Sequence, residues 1–372
     1  MNTLQILTDT LRSIEEEMGI RIRLAETRRG HLFPEVDLNT GEVTFNTKLR
    51  ALVTLYNYML LHPDTGCDAI SLYTLYNMYT DRCQYDEAEE ALARLAEVLP
   101  LLFAHGGKRD RLTAQSVDLQ IVFILLHECA HLLFHVNGDL RAKILGYVRQ
   151  RIEDMQIDTA GIPDRMRTYI ESFIPEDLPE ALHKEMMQEI SEKMEQYSNE
   201  IFDFSKYLDP NDDSMLEEFG CDQVACGLAL ARFIGLNPKG DAVMEAAIEM
   251  IMALYILDYD RCFRSIYAGQ CEERMVEMPR IAGARHANLR GFIYEVFLEH
   301  ANREIAREFL RQAEARDEGG KRLMLPSVFD HLADMMLLQH SEEGKPQRTR
   351  ALELEKRFAE VEAKILALLL DT

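Results

Sequence analysis

Leu4, Leu7, Leu11 and Ile14 recur three or four positions apart among Thr, Asp, Arg and Glu, so the chain opens with an amphipathic helix. The spacing then changes: Ile20 to Leu24 and Val43 to Phe45 read as short strands around the turn residues Asn39, Thr40 and Gly41, and they are the only clear β signal. From Lys48 the apolar positions return to helical spacing and predict helices over 48–61, 68–80, 85–103, 114–136, 139–156, 178–203, 214–234 and 241–268. His62-Pro63, Pro100, Gly106-Gly107, Asn137-Gly138, Gly161 to Pro163, Pro175 to Pro179 and Asp209-Pro210 supply turn and helix-stop chemistry. Beyond Pro279 three more helices are expected, near 287–316, 326–340 and 347–370, separated by Gly319-Gly320 and by Ser341 to Pro346. The predicted fold is mainly α with a small β-sheet near the N-terminus. Within that sheet the strand around Val43 to Phe45 is expected to be an edge, able to pair through its backbone with an extended peptide.

Composition narrows the class. In 372 residues, 47% hydrophobic and 28% charged, there is material for a sizeable core, and a disordered or low-complexity chain is excluded. Acidic residues outnumber basic ones by 64 to 41, a net charge of -23, which argues against nucleic acid or an anionic membrane as a general partner. The seven cysteines, at positions 67, 83, 129, 221, 226, 262 and 271, form no C-x-x-C pair, and their odd number points to reduced thiols and a cytoplasmic location. The first residues lack the basic start of a secretory signal. The greasiest run, Ile121 to Leu126, is far shorter than the ~20 residues of a membrane span, so no spanning segment is expected. The charged stretch Glu185 to Glu200 reads as a solvated helix with one apolar face.

Chemistry is concentrated in the predicted helix 114–136, which carries His127-Glu128-Cys129-Ala130-His131, an H-E-x-x-H pattern. Histidines four apart project from one helical face and can reach one metal ion, while Glu128 lies beside them to handle a metal-bound water. Burying these groups in an apolar helix is costly unless a metal compensates. Zinc in a hydrolase takes three protein ligands and keeps one position open, so a third ligand is needed from elsewhere. Phe134 and Asn137 stand where a metzincin would have Gly and His, which excludes that solution.

A later helix, predicted over 214–234, contains Glu217, Glu218 and Asp222, the last two as E-x-x-x-D. With this pair the sequence resembles the gluzincin metallopeptidases, which combine H-E-x-x-H with E-x-x-x-D, and among them loosely the ImmA/IrrE-like and Lit-like bacterial proteases. The resemblance implies zinc on His127, His131 and Glu218, Glu128 as general base, and Asp222 hydrogen-bonded to a ligating histidine. Glu217 is a rival ligand, although only Glu218 stands one helical turn from Asp222. Downstream, His286 and Arg290 form an H-x-x-x-R pair similar to the His or Arg with which several gluzincins contact the substrate or the developing oxyanion. The resemblance implies a zincin-like domain over 1–300, with a C-terminal helical layer or appendage over 301–372.

The residues lead to two expectations of different class. One is a zinc-dependent endopeptidase acting on a dedicated protein or peptide substrate through a metal-activated water; a metal hydrolase of a non-peptide amide is a separate, third reading. The other is a non-catalytic helical interaction or regulatory protein with a structural zinc site, in which His135 or Cys221 would supply a fourth ligand. Helical phase turns Cys129 and Cys221 away from the metal-facing positions and assigns them to packing. Tyr255, Tyr259, Tyr267 and Tyr294 are further candidates for an oxyanion hydrogen bond.

Overall fold

The first helix, α1 (Thr3–Met18), leads into three short strands, β1 (Arg23–Thr27), β2 (Glu35–Asp37) and β3 (Glu42–Asn46). The computed structural model describes residues 3–19, 21–28, 32–61, 63–104, 114–153, 188, 208–236, 240–267, 272–301, 303–323 and 348–367. The helices expected over 178–203 and 326–340 lie outside them. Apart from the sheet the described elements are helical: α2 (Leu49–Leu61), α3 (Pro63–Asp81), α4 (Tyr85–Ala104), α5 (Ala114–Val136), α6 (138–153), α7 (Asp213–Leu236), α8 (Gly240–Tyr267), α9 (Glu272–His300), α10 (Arg303–Leu323) and α11 (Arg348–Ala367). The mainly α class with a small N-terminal sheet is thus observed.

The sheet corrects one expectation. β3 lies between the other two strands, parallel to β1 (Leu24 opposite Val43, Glu26 opposite Phe45) and antiparallel to β2 (Val36 opposite Val43). Both backbone ladders of β3 are therefore occupied, and the strand 43–45 is not an edge that a peptide can join. Glu35-Val36-Asp37 gave no strand signal because three residues with one apolar position are too short to show alternation. The turn between β2 and β3 was legible: Oδ1 of Asp37 accepts the backbone N–H of Asn39 at 2.9 Å, and Gly41 sits at φ 65. A side chain at Gly41 would be strained there, and its Cβ would fall 2.9 Å from the carbonyl oxygen of Arg21.

Helix boundaries depart from the sequence reading at three places. Pro63 begins α3 instead of only ending α2, since its missing N–H is harmless in a first turn. α9 starts at Glu272 and runs through Pro279, fifteen residues before the expected 287. The long helix expected over 287–316 is two helices, one ending at His300 and the next starting at Arg303, and α10 continues through Gly319-Gly320 to Leu323. Glycine and proline are weak stops when the surrounding helix is held by its neighbours.

α5 runs through the middle. It is the one helix among the described residues long and apolar enough to cross a bilayer, yet most of it is buried inside the fold, packed by α2, α7 and α8. Its first part, Val117 to Leu126, belongs to a large hydrophobic cluster that also takes in Val43, Leu52, Tyr73, Leu95, Ile251 and Phe309. Ala130 and Phe134, near its other end, belong to a second cluster with Leu145, Val148, Ile152, Leu216, Phe219 and Cys221.

α11 joins the larger cluster through Leu354, Phe358, Val361 and Ile365. The Phe358 ring stacks on Tyr76 with centroids 3.9 Å apart, and the hydroxyl of Tyr73 donates to Oε1 of Glu362 at 2.6 Å. Phe358→Ala should therefore lower the unfolding free energy by about 3–5 kcal/mol. Chemical denaturation measures it, and an unchanged midpoint would show that α11 does not belong to the core.

Candidate metal centre

Local chemistry sets the phase of the two motif helices. Oδ1 of Asp212 accepts the backbone N–H groups of Ser214 (3.0 Å) and Met215 (3.2 Å), an N-cap that starts α7 one turn before Glu217. At the far end of α5, Oδ1 of Asn137 accepts the N–H of Leu140 at 3.0 Å and starts α6 at once. The two motif helices run antiparallel, with Asp222 beside His127 and Glu217 beside His131. Gly220 lets them approach closely: a Cβ there would stand 3.0 Å from Ile144 and 3.3 Å from Phe134.

The crossing brings His127, His131 and Glu218 together, with one donor atom from each lying within 4.8 Å of the others. Nε2 of His127 is 3.5 Å from Oε2 of Glu218, and Nε2 of His131 is 3.8 Å from Oε1. The edge of a tetrahedron with metal–ligand bonds of 2.0–2.1 Å is about 3.4 Å, so small movements would close this set around an ion. His127 is buried, whereas His131 and Glu218 are half-buried. The group can hold a metal ion, and among the described residues no fourth His, Cys, Asp or Glu joins it. His135 is exposed, and Sγ of Cys221 lies 3.4 Å from Nδ1 of His131, on the opposite side of the ring from the Nε2 that faces Glu218.

Each imidazole has a carboxylate behind it. Nδ1 of His127 is 2.9 Å from Oδ1 of Asp222, and Nδ1 of His131 is 3.3 Å from Oε1 of Glu217. Glu217, the rival ligand, therefore stands behind His131, and its other oxygen accepts a hydrogen bond from Nε of Arg141 at 2.8 Å. Burial would push the His127 pKa down, but Asp222 and Glu218 outweigh it and hold the pKa up to about 9. Burial likewise raises Glu218, and His127 with the guanidinium groups of Arg285 and Arg261 brings it below the usual carboxylate range. Cys129 is buried and its thiol is pushed up to about 12, first by desolvation and then by the charge of Glu128, which suits a packing role.

Glu128 is half-buried on α5, about 60° around the helix from His131 and about 100° from His127. His286 lies one layer away from the histidine–carboxylate group: it is buried, its Nε2 is 3.2 Å from Oδ2 of Asp258, and its ring packs on Tyr255 with centroids 3.6 Å apart. Arg290 is half-buried, one turn further along α9. Tyr259 is buried against Tyr56, and Tyr294 packs against the large cluster. The residue that sequence reasoning missed is Arg285, only 1% exposed, whose guanidinium touches Asp222, Asp258 and the edge of the His127–His131–Glu218 group. No local pattern marks it, since the carboxylates it serves are 63 and 27 residues away.

Comparison of the chain with family profiles, with curated proteins and with solved structures finds no match.

The close crossing yields a direct test. Gly220→Val should destabilise the protein by about 1–3 kcal/mol through overpacking against Phe134 and Ile144, and it should weaken metal binding by separating α5 from α7. Adding Ile144→Ala should recover part of both losses, as read by thermal denaturation and metal titration. A Gly220→Val variant with the wild-type melting temperature would contradict the packing described.

Proposed function

We propose that the protein is a zinc-dependent peptidase that hydrolyses a peptide bond of a protein substrate, with zinc on His127, His131 and Glu218. One observation carries this reading: Asp222 and Glu217 stand behind the Nδ1 atoms of the two histidines, while both Nε2 atoms face the same carboxylate, Glu218. Two imidazoles and one carboxylate are a donor set suited to zinc in hydrolases, and carboxylates behind the imidazoles fix their tautomers and raise their basicity. When bound there, zinc would polarise the scissile carbonyl and lower the pKa of a water molecule.

Glu128 would take the proton from that water and later deliver it to the leaving amine. Its partial exposure, next to a buried His127, is consistent with a base that meets solvent and substrate. Half-burial of His131 and Glu218 leaves the ligand set accessible from one side, as a substrate requires. A closed structural site is less well supported, because His135 is exposed and Cys221 approaches the wrong nitrogen of His131. The acidic balance of the chain favours a protein or peptide substrate over nucleic acid, and a cytoplasmic setting accords with free thiols at Cys83, Cys129, Cys221 and Cys226.

Two glutamates with different jobs test the reading. Glu218→Gln removes an anionic ligand and should lower zinc affinity by orders of magnitude. Glu128→Gln removes only the proton shuttle, so it should retain about one zinc per chain while cleavage falls by ~10² to 10⁴. Elemental analysis beside a cleavage assay, with substrates captured on the Glu128→Gln protein, separates the cases. A wild-type chain purified without chelator and free of zinc would overturn the proposal; a zinc-loaded Glu128→Gln variant with full cleavage would overturn the role of Glu128.

A further inference from the structure

Arg285 is the largest fully buried side chain among the described residues, and its shortest hydrogen bonds go to two buried carboxylates, Asp222 and Asp258. Nε donates to Oδ2 of Asp222 at 2.6 Å and Nη2 to Oδ1 at 2.7 Å, a two-pronged grip on a carboxylate with no exposure to solvent. Such a planar fork fixes both the position and the plane of the carboxylate, which a single donor cannot do. The third edge of the guanidinium is anchored too: Nη1 donates to Oδ1 of Asp258 at 2.7 Å, and the second oxygen of Asp258 is held by Nε2 of His286 at 3.2 Å. A continuous series of polar contacts therefore runs from His286 through Asp258, Arg285 and Asp222 to His127, its last step a 2.9 Å approach of Oδ1 of Asp222 to Nδ1, and it joins α9, α8, α7 and α5.

We infer that Arg285 is a positioning residue of the metal centre: by gripping both oxygens of Asp222 it holds that carboxylate against Nδ1 of His127 and so aims Nε2 at the ion. The inference rests on the metal reading given above. It assigns the His286–Asp258 pair the task of holding the guanidinium, a role different from direct contact with substrate. A competing effect has the opposite sign. Nη2 of Arg285 also lies 3.5 Å from both Nε2 of His127 and Oε2 of Glu218, so its charge opposes a cation at the donor group. If that field dominated, removing the charge would tighten metal binding; if positioning dominates, removal weakens it.

Zinc affinity of the full chain, measured by competition with a chromophoric chelator, decides between them without any cleavage assay. Arg285→Met should weaken zinc binding by about ten- to a hundredfold, the range found when partners of metal ligands are lost. Arg285→Lys keeps the charge but not the fork, and should weaken it comparably. In an Asp222→Asn background the further effect of Arg285→Met should largely disappear, because one residue acts through the other. Should Arg285→Met fail to fold by circular dichroism, Arg285→Lys and Asp258→Asn carry the test, the latter with an expected several-fold loss. Wild-type or tighter zinc binding in the folded variants, or an Arg285→Met effect undiminished beside Asp222→Asn, would overturn the inference alone. A wild-type chain that binds no zinc would overturn the metal reading and this inference with it.

Discussion

A carboxylate shut off from solvent is the constraint around which the middle of this protein is arranged. Asp222 has 0% exposure, and an isolated carboxylate in such a place would cost several kcal/mol. It is tolerable only if positive charge meets it from directions that water would otherwise have supplied. His127 does so from α5 and Arg285 from α9, and Arg285 in turn needs Asp258 of α8 to complete its hydrogen bonding. Four helices are thereby tied to one point by groups that cannot be separated singly without stranding a charge. Burial would depress the guanidinium pKa, but Asp222 and Asp258 raise it well above its ordinary value, so Arg285 stays charged where it meets them.

The position of this network follows from where the apolar surfaces part. Val117 to Leu126 fill the larger hydrophobic cluster and Ala130 and Phe134 the smaller one, so the His-Glu-x-x-His turn of α5 falls on the seam between two cores. A seam is where polar groups can be accommodated without opening a cavity in either core. α6 closes the smaller core through Leu145, Val148 and Ile152, and it is also fastened by arginines: Arg141 to Glu217, Arg149 to Asp213 and Arg151 to Glu295. Those ion pairs are partly exposed and individually weak, so α6 is held to the smaller core mainly by its apolar face.

What the sequence made legible is what depends on short spacing. Histidines 127 and 131, and Glu218 with Asp222, are pairs four apart on single helices, and helical phase alone places each pair on one face. The helical spacing, the Asn39 to Gly41 turn and the apolar stripe of α11 are local in the same sense. The central place of β3 and the role of Arg285 depend instead on partners distant in the chain. β3 becomes central through β1 and β2, neither of which alters its own alternation of residues. The run of α9 through Pro279 goes against local preference, and nothing within the segment announces it. Spacing singles out the neighbours His286 and Arg290 as an H-x-x-x-R pair, whereas the deciding fact about Arg285, contact with Asp222, is a tertiary one.

The adjacent glutamates of α7 show how little is needed to separate two roles. Glu217 and Glu218 are identical in chemistry and consecutive in sequence, but one residue step turns a helix by about 100°. That step sends Glu218 into the space between the two Nε2 atoms and Glu217 behind the His131 ring, where Arg141 holds its second oxygen. Exchange of duties would require α7 to rotate about its axis, and such a rotation would pull Asp222 out of the Arg285 fork and drive Gly220 away from Phe134 and Ile144. The grip on Asp222 therefore fixes more than one histidine. Because the four positions 217, 218, 220 and 222 share one rigid turn and a half of helix, anchoring the last of them settles which glutamate faces the two Nε2 atoms.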